Sequence, residues 1–331
     1  MAGFCLSYRY LRWTNTLVSD LAPSLPAGFE RHMLDTPSGQ LELLYAAPAP
    51  STLSNPAPMF FVHGGMDSAH VWLEYMQYLS QRGIPCYAIS MRGHGRSWAP
   101  GYLRMAFFTS RAMLENDVVA GIRFAERREG QQVVLVGHSS GGGISQALLN
   151  QGKVQVKALV LAAAVPGFGS TNVYLDWMKM DRWSSIRGIF HLWHPNTMLS
   201  HPALVQRAFF STKVTQSFVE NFMQHAAPYE AFGWPISMLR QFVQPLAVLQ
   251  HIRGWDDKDK KGRARVLVLA GELDAIIRTY NCRKLAAFYH VGEHGQTAVK
   301  YEEVSGVAHH LQNDVGWEAG AQKLIEFYEQ L

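Results

Sequence analysis

The sequence has 331 residues, 30 Lys and Arg against 26 Asp and Glu, a formal net charge of +4, and 48% hydrophobic and 17% charged residues. That composition excludes a disordered chain, and with no long basic run it offers no footprint for nucleic acid. The length suits two domains, or one large α/β domain with an insertion.

In residues 1–28, Arg9 and Arg12 interrupt what would be a signal-peptide core, and they faintly suggest a transit peptide. No stretch approaches the roughly 20 apolar residues of a membrane span, so no stable membrane insertion is expected. The simpler reading is a surface arm that packs Leu11, Trp13 and Leu17 on the body. Cys5, Cys86 and Cys282 lie far apart, without a disulfide framework or metal spacing, which favours a reducing, cytoplasmic setting. Histidine, at 14, is in surplus.

Residues 29–34 and 41–46 flank Thr36-Pro37-Ser38-Gly39, a turn signal that predicts an antiparallel hairpin. Residues 48–58 read as a loop. Apolar runs follow at 59–62, 86–90, 133–136, 158–163 and 266–270, none alternating polar with apolar. Strands buried on both faces have this character, as in a parallel sheet covered by helices. Helical patterns at 68–82, 112–128 and 142–151 lie between them. The alternation predicts a doubly wound, mostly parallel α/β fold. Residues 166–255 break the rhythm: the segment is apolar and helical, and it carries Trp177, Trp183, Trp193, Trp234 and Trp255. Residues 256–261 read as a solvated loop on the way back to the sheet.

Gly137-His138-Ser139-Ser140-Gly141 fits G-x-S-x-G, with an apolar strand before it and a small-residue helix start after it. A sharp strand-to-helix turn would expose the Ser139 hydroxyl beside helix N–H groups that favour negative charge. Such a serine needs a base to take its proton, a histidine late in the chain oriented by a carboxylate after a late strand. His309 and Asp274 stand in that order.

These residues resemble the α/β-hydrolase fold superfamily, as a serine hydrolase with an inserted cap, and the likeness runs from about 29 to 331. His63-Gly64-Gly65 resembles the oxyanion loop after the third strand. Arg92-Gly93-His94-Gly95-Arg96-Ser97 resembles the RGxGxS loop after the fourth. GHSSG resembles the nucleophile elbow, and GVAHHLQND at 306–314 resembles the terminal histidine segment, where an acidic residue five positions on, Asp314, selects His309 over His310. Met91 departs from the Asp that many relatives carry there.

The resemblance implies a core of 29–165 and 256–331 and a helical cap of 166–255 inserted after the sixth strand. It implies Ser139 as nucleophile, His309 as base and acid, and Asp274 as the orienting acid. The oxyanion hole would draw on backbone N–H groups of Ser140 and Gly65, with Met66 as an alternative. No metal or cofactor is called for. Position makes the insertion a lid, with Trp177, Trp183, Phe190, Trp193 and Trp234 as candidate substrate-binding residues. A Ser nucleophile points to an ester, lactone or thioester of a small apolar carbonyl compound, cleaved through an acyl-enzyme as in carboxylic ester hydrolases (EC 3.1). A C–C bond hydrolase, a non-hydrolytic lyase or cyclase, and a non-catalytic ligand-binding protein are the rival expectations. A homodimer stays open. His63, His94 and His138 read as loop-shaping or core hydrogen-bonding residues and not as metal ligands, because their spacing is not that of a metal site; Asp67 reads as a turn residue, and His191, His194, His201 and His225 as structural or pocket-lining.

Overall fold

The computed structural model describes residues 5–14, 24–51, 53–256, 263–291 and 299–331. Leu17 and the loop at 257–261 lie outside the described residues.

Strands β1 (Phe29–Thr36) and β2 (Gly39–Ala46) form the expected hairpin, paired antiparallel from Phe29 with Ala46 to Thr36 with Gly39. The sheet continues with β3 (Met59–Val62), β4 (Cys86–Ile89), β5 (Val134–His138), β6 (Ala158–Ala162), β7 (Val266–Gly271) and β8 (Val299–Val304). Its spatial order is β1-β2-β4-β3-β5-β6-β7-β8, parallel from β4 onward. Every residue of β3 to β7 is buried, the reason their sequences do not alternate.

Alternate side chains feed two apolar cores. Phe60, Val62 and Leu135 face α3 (Arg111–Glu129), α4 (Ser139–Asn150) and α11 (Thr279–Phe288), packing with Val118, Ile144 and Leu285. Phe61, Val134 and Val136 face α1 (Leu73–Ser80) and α12 (Trp317–Tyr328), packing with Met76 and Leu324. The helical pattern at 68–82 resolves into a 3₁₀ turn at 69–72 before α1, begun by the Ser68 side chain accepting from the His70 N–H. Helix α3 starts on Ser110, whose hydroxyl accepts from Met113 N–H, and stops at Gly130, which takes the left-handed conformation at φ 69°.

Short helices follow β6: α5 (Thr171–Met180), α6 (Ser184–Phe190), α7 (Pro202–Phe209), α8 (Gln216–His225), α9 (Gly233–Ser237) and α10 (Pro245–Leu249). Buried Leu199, Val205, Phe209 and Trp234 of this segment join the same cluster as Phe60 and Ile144, so among the described residues it has no separate core. The N-terminal arm packs on it. Arg187 Nε donates to the Cys5 carbonyl at 2.7 Å, and Arg12 Nη2 to the Ala226 carbonyl at 2.9 Å. Trp13 stands edge-on to His194 at 4.7 Å between ring centres, and Leu11 is buried. Among the described residues no helix is long and apolar enough to cross a membrane.

Candidate active site

The strand-to-helix turn at Ser139 explains its glycines. Ser139 itself sits at φ 50°, in the left-handed region that strains a side-chain-bearing residue. A Cβ on Gly137 would come 2.6 Å from Gly142 Cα, and one on Gly141 would come 2.2 Å from the His63 carbonyl oxygen. Only glycine lets β5, α4 and the loop after β3 approach this closely.

The turn delivers Ser139 Oγ to His309 Nε2 at 3.0 Å. His309 Nδ1 faces Asp274 Oδ2 at 2.8 Å. Asp274 follows β7, and its Oδ1 accepts from the N–H groups of Ile276 at 2.7 Å and Ile277 at 2.8 Å, which fixes the carboxylate. The loop carrying His309 is braced by Asp314. Its Oδ2 accepts from Ala308 N–H at 2.8 Å and from Ser211 N–H at 2.7 Å, while its Oδ1 accepts from Ser211 Oγ. His310 turns the other way, its Nδ1 against Asn313 Oδ1 at 3.1 Å. The structure thus brings Ser139, His309 and Asp274 together and leaves His310 out of that chain.

Gly65, Met66 and Ser140 line the same cavity as Ser139 and His309. The three candidate amides are not equivalent. Met66 N–H donates to Glu230 Oε2 at 2.9 Å, so that donor is engaged within the protein. At Gly65 a Cβ would meet Ser140 Oγ at 3.5 Å and Glu230 Oε2 at 3.6 Å, ordinary van der Waals contacts, so space alone does not require glycine there.

Glu230 is the residue that sequence reasoning missed. It is a lone carboxylate in the apolar stretch Pro228-Tyr229-Glu230-Ala231-Phe232, and that isolation was the available signal. Besides Met66 N–H it accepts from His94 Nε2 at 3.0 Å, Ala231 N–H at 2.8 Å and Trp234 Nε1 at 3.2 Å. His94 Nδ1 donates to the Arg92 carbonyl at 2.8 Å, so both ring nitrogens carry protons and the ring is an imidazolium. Burial alone would push the His94 pKa down, but the charge and hydrogen bond of Glu230 overcome it and raise it. Burial would likewise raise the Glu230 carboxyl, and His94 overcomes it and holds it low. The loop after β4 is anchored beneath by Arg92, whose Nε and Nη2 grip Asp117 at 2.8 and 2.6 Å. Met91 is buried in the core with its N–H donated to His63 Nε2 at 3.1 Å.

The other histidines fill structural places. Burial, with His94 adjacent, drives His63 down to about 3, so it is neutral. Burial, reinforced by His309 and His310, holds His138 well below its ordinary value. His194 and His201 accept from the N–H groups of Asn196 and Ala203 as helix caps. His225 bonds the Asn221 carbonyl.

The cavity over Ser139 measures about 370 Å³. Its walls come from the segment between β6 and β7 and are mostly apolar, with Trp177, Met198, Phe209, Phe232 and Trp234 among them. Trp177 and Trp234 are therefore the two candidate tryptophans that line it. Trp183, Phe190 and Trp193 do not line this cavity. They lie on and just around α6, 42%, 54% and 62% exposed, because that helix turns its apolar side outward.

The chain matches the family model described as alpha/beta hydrolase fold over residues 57–314. Protein ABHD8 of Mus musculus is 34% identical over 83 residues, 25% of this chain and 18% of that protein. Lipase LipV of Mycobacterium tuberculosis is 31% identical over 109 residues, 33% of this chain and 37% of that protein. Each match thus spans well under half the length of the curated relative. A highly thermostable carboxyl esterase from Bacillus coagulans superposes with a TM-score of 0.62 at 11% identity, over 92% of this chain and 99% of that one, a likeness of fold. The matched model takes in the sheet from β3 to β8, the turn at Ser139 and the loops holding Asp274 and His309, and the chain belongs to the alpha/beta hydrolase fold family.

Proposed function

We propose that this chain is a serine hydrolase that cleaves an ester, lactone or thioester of a small apolar molecule through an acyl-enzyme, within the carboxylic ester hydrolases. The observation that carries the reading is the unbroken hydrogen-bond chain Ser139–His309–Asp274 at the floor of an apolar cavity.

In this reading His309 Nε2 takes the Ser139 proton as Oγ attacks the substrate carbonyl carbon. Asp274 holds the Nδ1–H tautomer and stabilises the imidazolium. The charge that develops on the carbonyl oxygen meets the N–H groups of Ser140 and Gly65. Loss of one such donor costs about 3–4 kcal/mol of barrier. His309 then gives its proton to the leaving group, and a water activated by the same ring releases the acid. Residues 166–255 act as the cap, and Trp177 and Trp234 contact the substrate. A cavity of about 370 Å³ suits a small molecule. A cytoplasmic setting belongs to the same proposal, and the wide spacing of Cys5, Cys86 and Cys282 in the sequence is what favours it.

The test is a fluorophosphonate probe with intact-mass readout, then a panel of acyl esters of graded size in labelled water. The expected outcome is one adduct on Ser139, none on Ser139→Ala, and solvent oxygen in the product acid. An unlabelled Ser139 in folded protein, or a Ser139→Ala variant with full turnover, overturns the reading. Turnover without solvent oxygen in the product replaces hydrolysis by lyase or cyclase chemistry.

A further inference from the structure

Behind the candidate triad lies a group of side chains that the proposed reaction does not use. Asp67 follows the oxyanion loop, His138 precedes Ser139, and His310 follows His309. Asp67 is 3% exposed, His138 1% and His310 0%. Asp67 Oδ2 lies 3.3 Å from His310 Nε2 and 3.8 Å from His138 Nδ1, and the three atoms fall within 4.8 Å of one another. Among the described residues none of the three atoms has a hydrogen-bond partner, and neither does Asp67 Oδ1. A buried carboxylate without a hydrogen bond is costly, and it calls for a compensating charge.

The far side of each ring settles which nitrogen carries the proton. His138 Nε2 faces the His309 carbonyl at 2.9 Å, and a carbonyl only accepts. The proton of this neutral ring is on Nε2, and Nδ1 presents a bare lone pair. His310 Nδ1 faces Asn313 Oδ1 at 3.1 Å. The Asn313 amide is oriented by its Nδ2 donating to Glu74 Oε2 at 3.1 Å. The Gln312 Nε2 contact to the same ring nitrogen is longer, 3.4 Å. That places the proton of a neutral His310 on Nδ1 and leaves Nε2 bare. Two imidazole lone pairs and a carboxylate oxygen then lie within 4.8 Å of one another. Metal-binding histidines commonly show this pattern, with the distal N–H given to a carbonyl-type oxygen.

We propose that Asp67, His138 and His310 form a buried site for one divalent transition-metal ion, of the kind zinc represents, which ties together the three loops that carry the oxyanion amides, Ser139 and His309. Two imidazoles and a carboxylate are a donor set that suits such ions. Bond lengths of about 2.0–2.2 Å to a tetrahedral ion imply ligand atoms roughly 3.3–3.5 Å apart. The separation of 3.3 Å already matches, while that of 3.8 Å and the nitrogen–nitrogen separation, within 4.8 Å, require the two rings to draw in toward the ion. The ion's role is structural: it neutralises Asp67 and fixes three segments remote in sequence.

The test reads metal content and is independent of whether Ser139 reacts. Full-length protein is incubated with Zn²⁺, desalted and analysed by plasma mass spectrometry, with thermal unfolding alongside. The expected result is one equivalent per chain and a melting temperature that rises with Zn²⁺ and falls with chelator. Co²⁺ loading should give visible bands of a low-coordinate nitrogen and oxygen site. Asp67→Asn and His310→Gln should each lose the equivalent. Asn313→Ala, a gentler change, should keep the site and weaken affinity about 10–100-fold. Wild-type protein, folded by circular dichroism, that retains no zinc or cobalt overturns the proposal, and the cluster is then a His310 imidazolium paired with Asp67. Variants that keep the full equivalent also overturn it, since the ion then binds elsewhere.

Discussion

The site is built from two regions that hold their residues in different ways. On the sheet side, Ser139, Asp274 and His309 are placed by backbone: a left-handed serine between close-packed glycines, two amides on Asp274, and the Ala308 N–H on Asp314. On the side of the segment after β6, the ties are side-chain charges. Glu230 reaches Met66 N–H and His94, and Asp314 receives Ser211. Backbone bonds also join them, among them Ala227 N–H to the Met66 carbonyl at 2.7 Å and His310 N–H to the Phe209 carbonyl at 2.9 Å. Glu230 and His94 hold each other's charge, so the grip of the second region can change with pH.

Breaking the sheet side should produce the largest losses. His309→Ala removes the proposed base, and kcat should fall by roughly 10⁵–10⁶. The same change at His310 should cost far less, mostly as lowered stability. Pre-steady-state and steady-state kinetics on both variants decide the matter, and a dead His310 variant beside a live His309 variant reverses the assignment. Asp274→Asn keeps the shape and presents the wrong tautomer to Nδ1, so kcat should fall by about 10⁴. Normal kinetics in that variant removes Asp274 from the chain.

Breaking the other side should cost less and depend on pH. Glu230→Gln removes charge-assisted bonds of roughly 1.5–3 kcal/mol, which gives a fall in kcat/KM of about 10–100-fold. The sign of the pH dependence follows from the two shifts. The Glu230 pKa is lowered, so its contribution is complete above the ordinary 4.5 and fades as pH drops through the lowered value. The His94 pKa is raised, so its contribution is complete below the ordinary 6.5 and fades as pH climbs through the raised value. The clasp is firmest between them. Hydrogen exchange at the Met66 and Ala227 amides should quicken on both sides of that window in the wild type and lose the pattern in Glu230→Gln. A flat profile in the wild type would show that the clasp does not titrate.

Much of the sheet side was legible in the sequence, because a buried strand and a glycine-flanked serine are local patterns. The runs at 59–62 and 266–270 became β3 and β7, and the order of Ser139, Asp274 and His309 needed no three-dimensional knowledge. The rest depends on residues that meet only in the fold. Nothing near Glu230 in the chain announces Met66 or His94. Asp67, His138 and His310 have no metal spacing because they come from three separate segments, and a spacing test sees only sites within one segment. The arm was expected on the body and lies against the inserted helices, where Arg187 and His194 receive it. The aromatic residues show the same limit. Composition marks the segment as apolar, but which face of α6 turns inward is decided by packing.

The smallest expected effect separates the tryptophans. Trp177 lines the cavity and Trp193 is 62% exposed outside it. Trp177→Ala removes apolar wall that a substrate would touch, and differences of this kind are worth about 1–3 kcal/mol. KM should rise by roughly 10-fold or more, with kcat changed less, and most steeply for the bulkier esters of a graded series. Trp193→Ala should alter kinetics little and stability by about 0.5 kcal/mol or less, as for most exposed positions. Equal KM changes in the two variants would mean that the outer face of α6 also meets substrate, which joins the exposed aromatics at Trp183, Phe190 and Trp193 to the binding surface and moves the boundary of the cavity beyond its present walls.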